Sequence, residues 1–506
     1  MRKSIVTLFL FLFVINAFAQ EKDIYTTYFK DPEKQFPVPI ITGSNYYSSY
    51  NSVNDFLKNL AVKHPDIMTL SYIGDSQRGY KTPMVTLNKK NSNSKKVRVT
   101  YLACVHGDEP ISTDAMLNTI YELVENSKYS SYLDNVILMI VPIVNVDGHK
   151  DENRFSNDGT DLNRNLGILN VPETVNVKNA INTFDPQVVV DFHEYNPGRK
   201  DFLDIDDCLT SAYDAMFLYT GTLNVNANIR KMIETNFVEP TKLVLEKNNR
   251  VVRNYSSTQQ SNGKTILNIG GATSRSSATN YALQNRISIL MEIRGVTEKD
   301  KAVKRRIETS TLAALSYLKI SNDLSDDILK VVDNANKTAI EGKNEIIVTS
   351  KPKVIESKFQ FVNTCTNENN IYNFEAKNNI EQVPQIVRPR PDGYVIVTKS
   401  KPLFNALQAS GIEFSVIEKA TQLEVETYVQ TIDGENKFEI RKEMMAIPSG
   451  SILIPSHQKM GNTVVDLLEP EGVNSLYQNS ILKPLSGSRT LRLFRVNLSQ
   501  IVQLQN

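Results

Sequence analysis

Apolar positions along this chain change their spacing several times, and each change marks an element. From Asn51 the residues Val53, Phe56, Leu57, Leu60 and Ala61 recur at helical spacing, until His64-Pro65 stops the run. Four later runs, 97–105, 136–141, 188–192 and 287–293, are nearly continuous in β-branched or aliphatic residues. A strand that is apolar on both faces has no side to give to water, so these runs predict a sheet covered twice. A helical stretch from Ile111 to Val124 lies between the first two. Val303, Ile307, Leu315 and Leu318 then line one face of a helix over 301–318. Strands alternating with helices predict an α/β fold.

The texture changes twice more. Residues 320–350 are polar and charged, with Asn334-Ala335-Asn336-Lys337, and read as a connecting stretch. Beyond Val354 come short alternating runs with turn signals: Tyr394–Val397 after Pro391-Asp392-Gly393, Leu423–Glu426, a turn at Ile432-Asp433-Gly434-Glu435, then Ile452–Ile454 and Leu491–Val496. That pattern predicts a smaller β-rich C-terminal domain. At the other end, Met1-Arg2-Lys3 precedes an apolar stretch from Ile5 to Ile15, and Ala17-Phe18-Ala19 supplies small residues for cleavage. The stretch is short for a membrane span and reads as an export signal. The expected division is a signal peptide over 1–19, an irregular lead-in over 20–44, a catalytic domain over 45–320, a linker over 321–353 and the β-rich domain over 354–506.

Composition narrows the class. The chain has 506 residues, 41% hydrophobic and 22% charged, which is enough apolar material for a large core. Its net charge is +1, or −1 once Arg2 and Lys3 are removed, so a nucleic-acid partner is not expected. After signal cleavage no membrane span is expected either. Of the three cysteines, Cys104 lies in an apolar run and reads as a small buried side chain. At most one disulfide can form, and spacing does not choose the pair.

Candidate chemistry concentrates on two of the five histidines. His106 and Glu109 stand where the first strand leaves for a helix, three residues apart, so an imidazole and a carboxylate can converge. His193 follows the strand 188–192 and offers a further nitrogen. Two His and one Glu with a fourth position open is the ligand set of a catalytic zinc. Between and after them come Asn145-Val146-Asp147-Gly148, Arg154 and Asp161-Leu162-Asn163-Arg164-Asn165. Glu292 is embedded in the apolar strand 287–293. Burying a lone carboxylate costs several kcal/mol, so Glu292 calls for a function or a cationic partner. His64, His149 and His457 read as structural or loop residues.

In this order the motifs resemble the M14 zinc carboxypeptidases, the group containing pancreatic carboxypeptidases A and B, over residues 45–320. Ile73-Gly74-Asp75-Ser76 with Arg78-Gly79 extends the resemblance upstream. Leu467-Leu468-Glu469-Pro470-Glu471 resembles the tail of a bacterial exported branch. The resemblance implies a mixed, largely parallel sheet flanked by helices. It also implies one zinc ion held by His106, Glu109 and His193, and an exported enzyme acting on peptides with a free C-terminal carboxylate through a metal-activated water. Glu292 would serve as general base and Arg154 would stabilise the oxyanion. Asn163 and Arg164 would grip the terminal carboxylate, and Tyr281 would stand in for the family's mobile tyrosine. The pocket for the terminal side chain is expected over 265–281, where Ser276 and Ser277 leave room and Arg275 could favour an acidic end. Asp108 replaces the arginine of digestive members, and Asn-Val-Asp-Gly replaces Asn-Pro-Asp-Gly. Three other readings stay open: an amidase or deacylase, a cell-wall peptide carboxypeptidase, and a non-catalytic peptide- or glycan-binding relative.

Overall fold

The computed structural model describes residues 23–39, 46–90, 95–398, 400–432 and 437–505. The expected export signal lies outside them, as does most of the turn expected at 432–435. Eight strands form the central sheet: β1 (Met68–Asp75), β2 (Lys81–Asn88), β3 (Val97–Ala103), β4 (Val136–Val141), β5 (Val188–Tyr195), β6 (Ala215–Leu218), β7 (Val252–Asn254) and β8 (Ile287–Arg294). Their spatial order is β1-β2-β4-β3-β5-β8-β6-β7. The run β4-β3-β5-β8 is parallel, while β1, β2 and β6 enter through antiparallel pairings. The sheet is therefore mixed, with a parallel centre.

Residue alternation divides the sheet into two apolar faces. Val188, Val190 and Phe192 of β5 join Tyr101 and Met291 on one face, beneath the helices Ile111–Glu125 and Val303–Asp323. Val189 faces the other way with Leu102 and Val141, beneath Val177 and Ile181 of the helix Pro172–Phe184. Each side chain of this size that is withdrawn from water contributes about 1.5–3 kcal/mol. The same alternation puts Asp191 and His193 on the second face of β5, and Ser288 and Glu292 on that face of β8. Glu292 lies in register with His193, and Ala103, at the end of β3, with Phe192. Three strands thus deliver chemistry at one level of one edge.

The expected linker is not a free connection. Residues 325–341 form a helix that sends Ile328, Leu329, Val332 and Ala335 into the main core. Its polar outer face, rich in Asn and Asp, dominates the composition and hides the apolar stripe. Next comes a long hairpin, Glu345–Asn363 with Glu368–Pro389. It is inserted between Leu209–Ser211 on one side and Lys264–Ile269 with Ser256–Ser261 on the other, making a five-stranded sheet. Phe359, Phe361 and Phe374 pack there against Phe202 and Tyr213. The disulfide Cys208–Cys365 fastens the hairpin tip, and Cys104 stays free and buried. The remaining C-terminal residues build a six-stranded sheet with its own core around Tyr394, Tyr428 and Leu493. The lead-in is also anchored, burying Phe29, Phe36 and Val38. Among the described residues no helix is long and apolar enough to cross a membrane.

Two outcomes follow for stability. The disulfide closes a loop of 157 residues, so replacing both cysteines by serine is expected to lower unfolding free energy by about 2–5 kcal/mol. Urea titration would measure this, and reductant should bring the parent protein to the variant's midpoint. Asp114, buried in the helix Ile111–Glu125, accepts from the Ser48 backbone N–H at 3.2 Å and from its hydroxyl. Burial raises its pKa from 3.8 to about 7, so the folded protein favours the neutral carboxyl. That contribution is complete below the unfolded value and is lost as pH climbs towards about 7. Asp114→Asn should gain on the parent by up to about 1.4 kcal/mol per pH unit across that window, and a pH-independent difference would contradict the assignment.

Candidate metal centre and active site

After β3 the chain turns sharply. Cys104 adopts a left-handed conformation (φ 53°), its N–H donates to Ser112 Oγ at 2.9 Å, and the turn swings His106 back over the sheet edge. Gly107 then presses against Gly148, where a Cβ would lie 2.0 Å from the Gly148 carbonyl carbon. Only glycine permits that approach. Gly148 belongs to Asn145-Val146-Asp147-Gly148, and this motif's role here is architectural. Asn145 Oδ1 accepts from the Gly148 N–H at 2.9 Å, and its Nδ2 donates to the Arg154 carbonyl at 3.3 Å. Asp147 accepts from Ser76 Oγ at 2.6 Å and the Arg78 N–H at 3.0 Å, tying in the upstream motif.

His106, Glu109 and His193 meet. Their ligand atoms all lie within 4.8 Å of one another, and each residue is at most 3% exposed. Glu109 bridges the imidazoles, with Oε1 2.6 Å from His106 Nδ1 and Oε2 2.8 Å from His193 Nδ1. The two Nδ1 atoms are 3.2 Å apart. A tetrahedral zinc with bonds of about 2.0–2.1 Å separates its ligands by about 3.3 Å, so these donors fit the ion with little movement.

The far side of each ring is also held. His106 Nε2 lies 3.1 Å from Asp161 Oδ1, and His193 Nε2 lies 3.0 Å from Asp191 Oδ2. A carboxylate at Nε2 favours the proton there and leaves the Nδ1 lone pair for a metal. Burial alone would raise the pKa of Glu109, but the two imidazoles reverse this and hold it far below the usual range. Asp161 behaves likewise: burial opposes, and His106 with Arg154 prevails.

The other sequence-predicted residues divide. Glu292 is half-buried, and burial raises its pKa to about 7 against the opposing pull of His193. A divalent ion nearby would pull it lower. Arg154 clamps Asp161 Oδ2 through Nε and Nη2 at 3.2 and 3.0 Å, and its Nη1 reaches 3.5 Å from Glu109 Oε1. Asn163 is 5% exposed, its Oδ1 accepting from the Ser277 N–H at 3.0 Å, while Arg164 is exposed beside it.

Tyr281 is not where the sequence put it. It lies on the helix Ser277–Ala282 and is fully buried with Leu102 and Val105, its ring 4.5 Å from Lys178 Nζ. The resemblance offered Tyr281 as the mobile tyrosine, but that helix turns its ring into the core. A different tyrosine, Tyr255, stands at the junction of β7 and Ser256–Ser261. It packs against Leu218, Ala278 and Leu290, and burial, then Glu292, raise its pKa while Arg199 and Arg164 lower it. Nothing local distinguishes it among 21 tyrosines. Asp191 and Ser277 were missed too. Ser277 Oγ donates to Asp191 Oδ2 at 2.6 Å, linking the backing of His193 to Asn163. The Asp-x-His spacing of Asp191 and His193 is the one signal that could have found Asp191. Glu194 faces away and pairs with Arg306, and neither ring nitrogen of the buried His149 has a hydrogen-bond partner among the described residues.

A family model described as Peptidase_M14, zinc carboxypeptidase, matches residues 53–302. Carboxypeptidase 2 of Trichophyton rubrum is 24% identical over 445 residues, covering 83% of this chain and 81% of that protein. Carboxypeptidase B2 of Homo sapiens is 28% identical over 145 residues, 24% of this chain and 34% of that protein. A metallo-carboxypeptidase structure from Burkholderia cenocepacia has 16% identity and a TM-score of 0.41, covering 54% of this chain and 70% of that one.

Asp161→Asn is expected to weaken zinc binding about 10–100-fold, because it loosens the backing of His106 without removing a ligand. Competition with a chelating dye measures this. Unchanged affinity, with circular dichroism intact, would show that Asp161 does not position the ring.

Proposed function

This chain belongs to the Peptidase_M14 zinc carboxypeptidases, and we propose that it removes the terminal residue from peptides ending in a free α-carboxylate. One observation carries the reading. Glu292, a carboxylate not needed among the ligands, stands level with His193 on the same strand face, within electrostatic reach of Arg154. Bound zinc supplies Lewis acidity and makes water acidic enough to attack near neutral pH.

The chain's own residues do the rest. Glu292 takes the proton of the attacking water and passes it to the leaving amine. Arg154, oriented by Asp161, directs its Nη1 into the ligand cluster, 3.2 Å from His106 Nδ1, where negative charge on the attacked carbonyl oxygen would develop. Arg164 and the Asn163 amide would receive the terminal carboxylate, and a guanidinium does so with paired hydrogen bonds. This makes the enzyme an exopeptidase. The catalytic unit proposed is 45–320, onto which the helix 325–341 packs, and the C-terminal unit proposed, 354–506, shares with it the sheet that holds the hairpin 345–389. Export is proposed from the apolar leader, and it is supported by a disulfide of the kind that persists in oxidising compartments.

Glu292→Gln should lower kcat about a hundredfold to ten-thousandfold while zinc content stays at one per chain. Matched peptides with free-acid and amidated ends supply the second arm. Release from the free acid alone supports the reading, and equal turnover of both points to an amidase.

A further inference from the structure

Ser277 is bonded to both halves of the site. Its N–H donates to Asn163 Oδ1 at 3.0 Å and its Oγ to Asp191 Oδ2 at 2.6 Å, and that same Asp191 oxygen lies 3.0 Å from His193 Nε2. Whatever sets Ser277 therefore sets two things together: the amide expected to meet the substrate's carboxylate, and the backing of a proposed zinc ligand. Ser277 begins a helix of only six residues, Ser277–Ala282, too short to hold its own position. The segment leading into it adds little restraint, because Gly270, at φ 68°, and Gly271 come just before.

The restraint comes from the C-terminal region. Asp466 Oδ2 accepts from Ser274 Oγ and its Oδ1 from Asn474 Nδ2 at 3.2 Å, while Thr273 Oγ1 donates to Asn474 Oδ1 at 2.6 Å. The turn so held passes directly into the helix. The Ser276 N–H donates to the Thr273 carbonyl at 3.2 Å, and Asn280 Nδ2 donates to the Ser274 carbonyl at 3.0 Å. Asp466 is fixed from its other side. Its helix, Gly461–Leu468, buries Val464, Leu467 and Leu468 in the C-terminal core, and the next residue, Glu469, is held by Arg388, Tyr394 and Tyr428. Hydrogen bonds and one short stretch of backbone thus connect a packed C-terminal helix to the carboxylate beside His193.

We propose that the C-terminal region is a working part of the metal site, with Asp466 acting through Ser274 and Ser277 as a positioning residue for His193 and Asn163. Loss of the Asp466–Ser274 bond frees the 273–276 turn and lets Ser277 withdraw from Asp191. The His193 ring then gains freedom that zinc binding must remove, because an outer carboxylate orients a ligating imidazole and raises its basicity. Asn163 loses the donor that fixes its amide by the same movement. The zinc arm of this proposal needs only the metal centre, whereas the substrate arm rests on the carboxypeptidase reading above.

The test uses the full chain as parent and as Asp466→Ala, Ser274→Ala and Ser277→Ala, with urea midpoints measured alongside. Zinc affinity from dye competition should fall about tenfold for Ser277→Ala and about threefold for the other two, which act one bond further from the metal. With cobalt in place of zinc, the visible absorption bands should shift in all three. At saturating zinc, KM for a free-acid peptide should rise about threefold or more while kcat changes less. Combining Asp466→Ala with Ser277→Ala should weaken zinc no more than Ser277→Ala alone, because the two act in series. Lower urea midpoints with zinc affinity and cobalt spectrum at parent values would mean that the C-terminal region only stabilises the fold, and would overturn the inference. Should Asp466→Ala not fold, Ser274→Ala breaks the same bond from the catalytic side and decides between the same outcomes. If zinc affinity and spectrum shift as expected but the parent cleaves no peptide, the positioning role stands and the carboxypeptidase reading falls.

Discussion

One buried carboxylate sets the terms for the rest of the molecule. Glu109 is 2% exposed and touches two imidazoles, so its charge survives only because cationic or metallic partners surround it. Each imidazole is in turn backed by a further carboxylate, Asp161 or Asp191. These groups come from three separate segments of chain, 106–109, 161 and 191–193. The left-handed turn at Cys104, the Gly107–Gly148 contact and the register of β5 against β8 all serve to keep them together. A shift of one residue in that register would turn His193 or Glu292 to the opposite face.

Around this centre, chemistry and scaffolding are interleaved within single motifs. In Asp161-Leu162-Asn163-Arg164, Asp161 orients His106 and Arg154, Leu162 packs in the core, Asn163 accepts from the Ser277 N–H, and Arg164 is exposed. In Asn145-Val146-Asp147-Gly148 no residue reaches the metal cluster, yet the motif sets the path of the loop that carries Arg154. Ser277 spans both functions, with its N–H on Asn163 and its hydroxyl on Asp191. Because the cleft and the metal cluster share such residues, substitutions outside the ligand set can still alter both.

The C-terminal third is joined to the catalytic part through several kinds of contact. A hairpin is threaded into a sheet whose other strands come from 209–269. Asn224 exchanges hydrogen bonds with the Ile347 backbone at 2.8 and 2.9 Å. Lys459 pairs with Asp185 at 2.6 Å, and Asn182 donates to the Ala409 carbonyl. Glu469 and Glu471 are both matched by Arg388, and Tyr394 and Tyr428 both donate to Glu469. The Leu-Leu-Glu-Pro-Glu segment is thereby a buried polar anchor, and the loop following it reaches the 273–275 turn.

Periodicity was enough to determine the buried strands and the helices beside them, and the order of the motifs, through its resemblance to a known family, pointed to His106, Glu109 and His193. These features are local: alternation fixes which face a side chain takes, and a strand's end fixes where it stands. The tertiary structure alone decided which cysteines pair, that 325–341 is a packed helix, that the hairpin belongs to a shared sheet, and that Tyr281 is interior. Each of these depends on two segments far apart in the chain coming into contact. A polar helix face resembles a linker and one tyrosine resembles another until the partner surface is in place, because short-range sequence records propensity and not proximity.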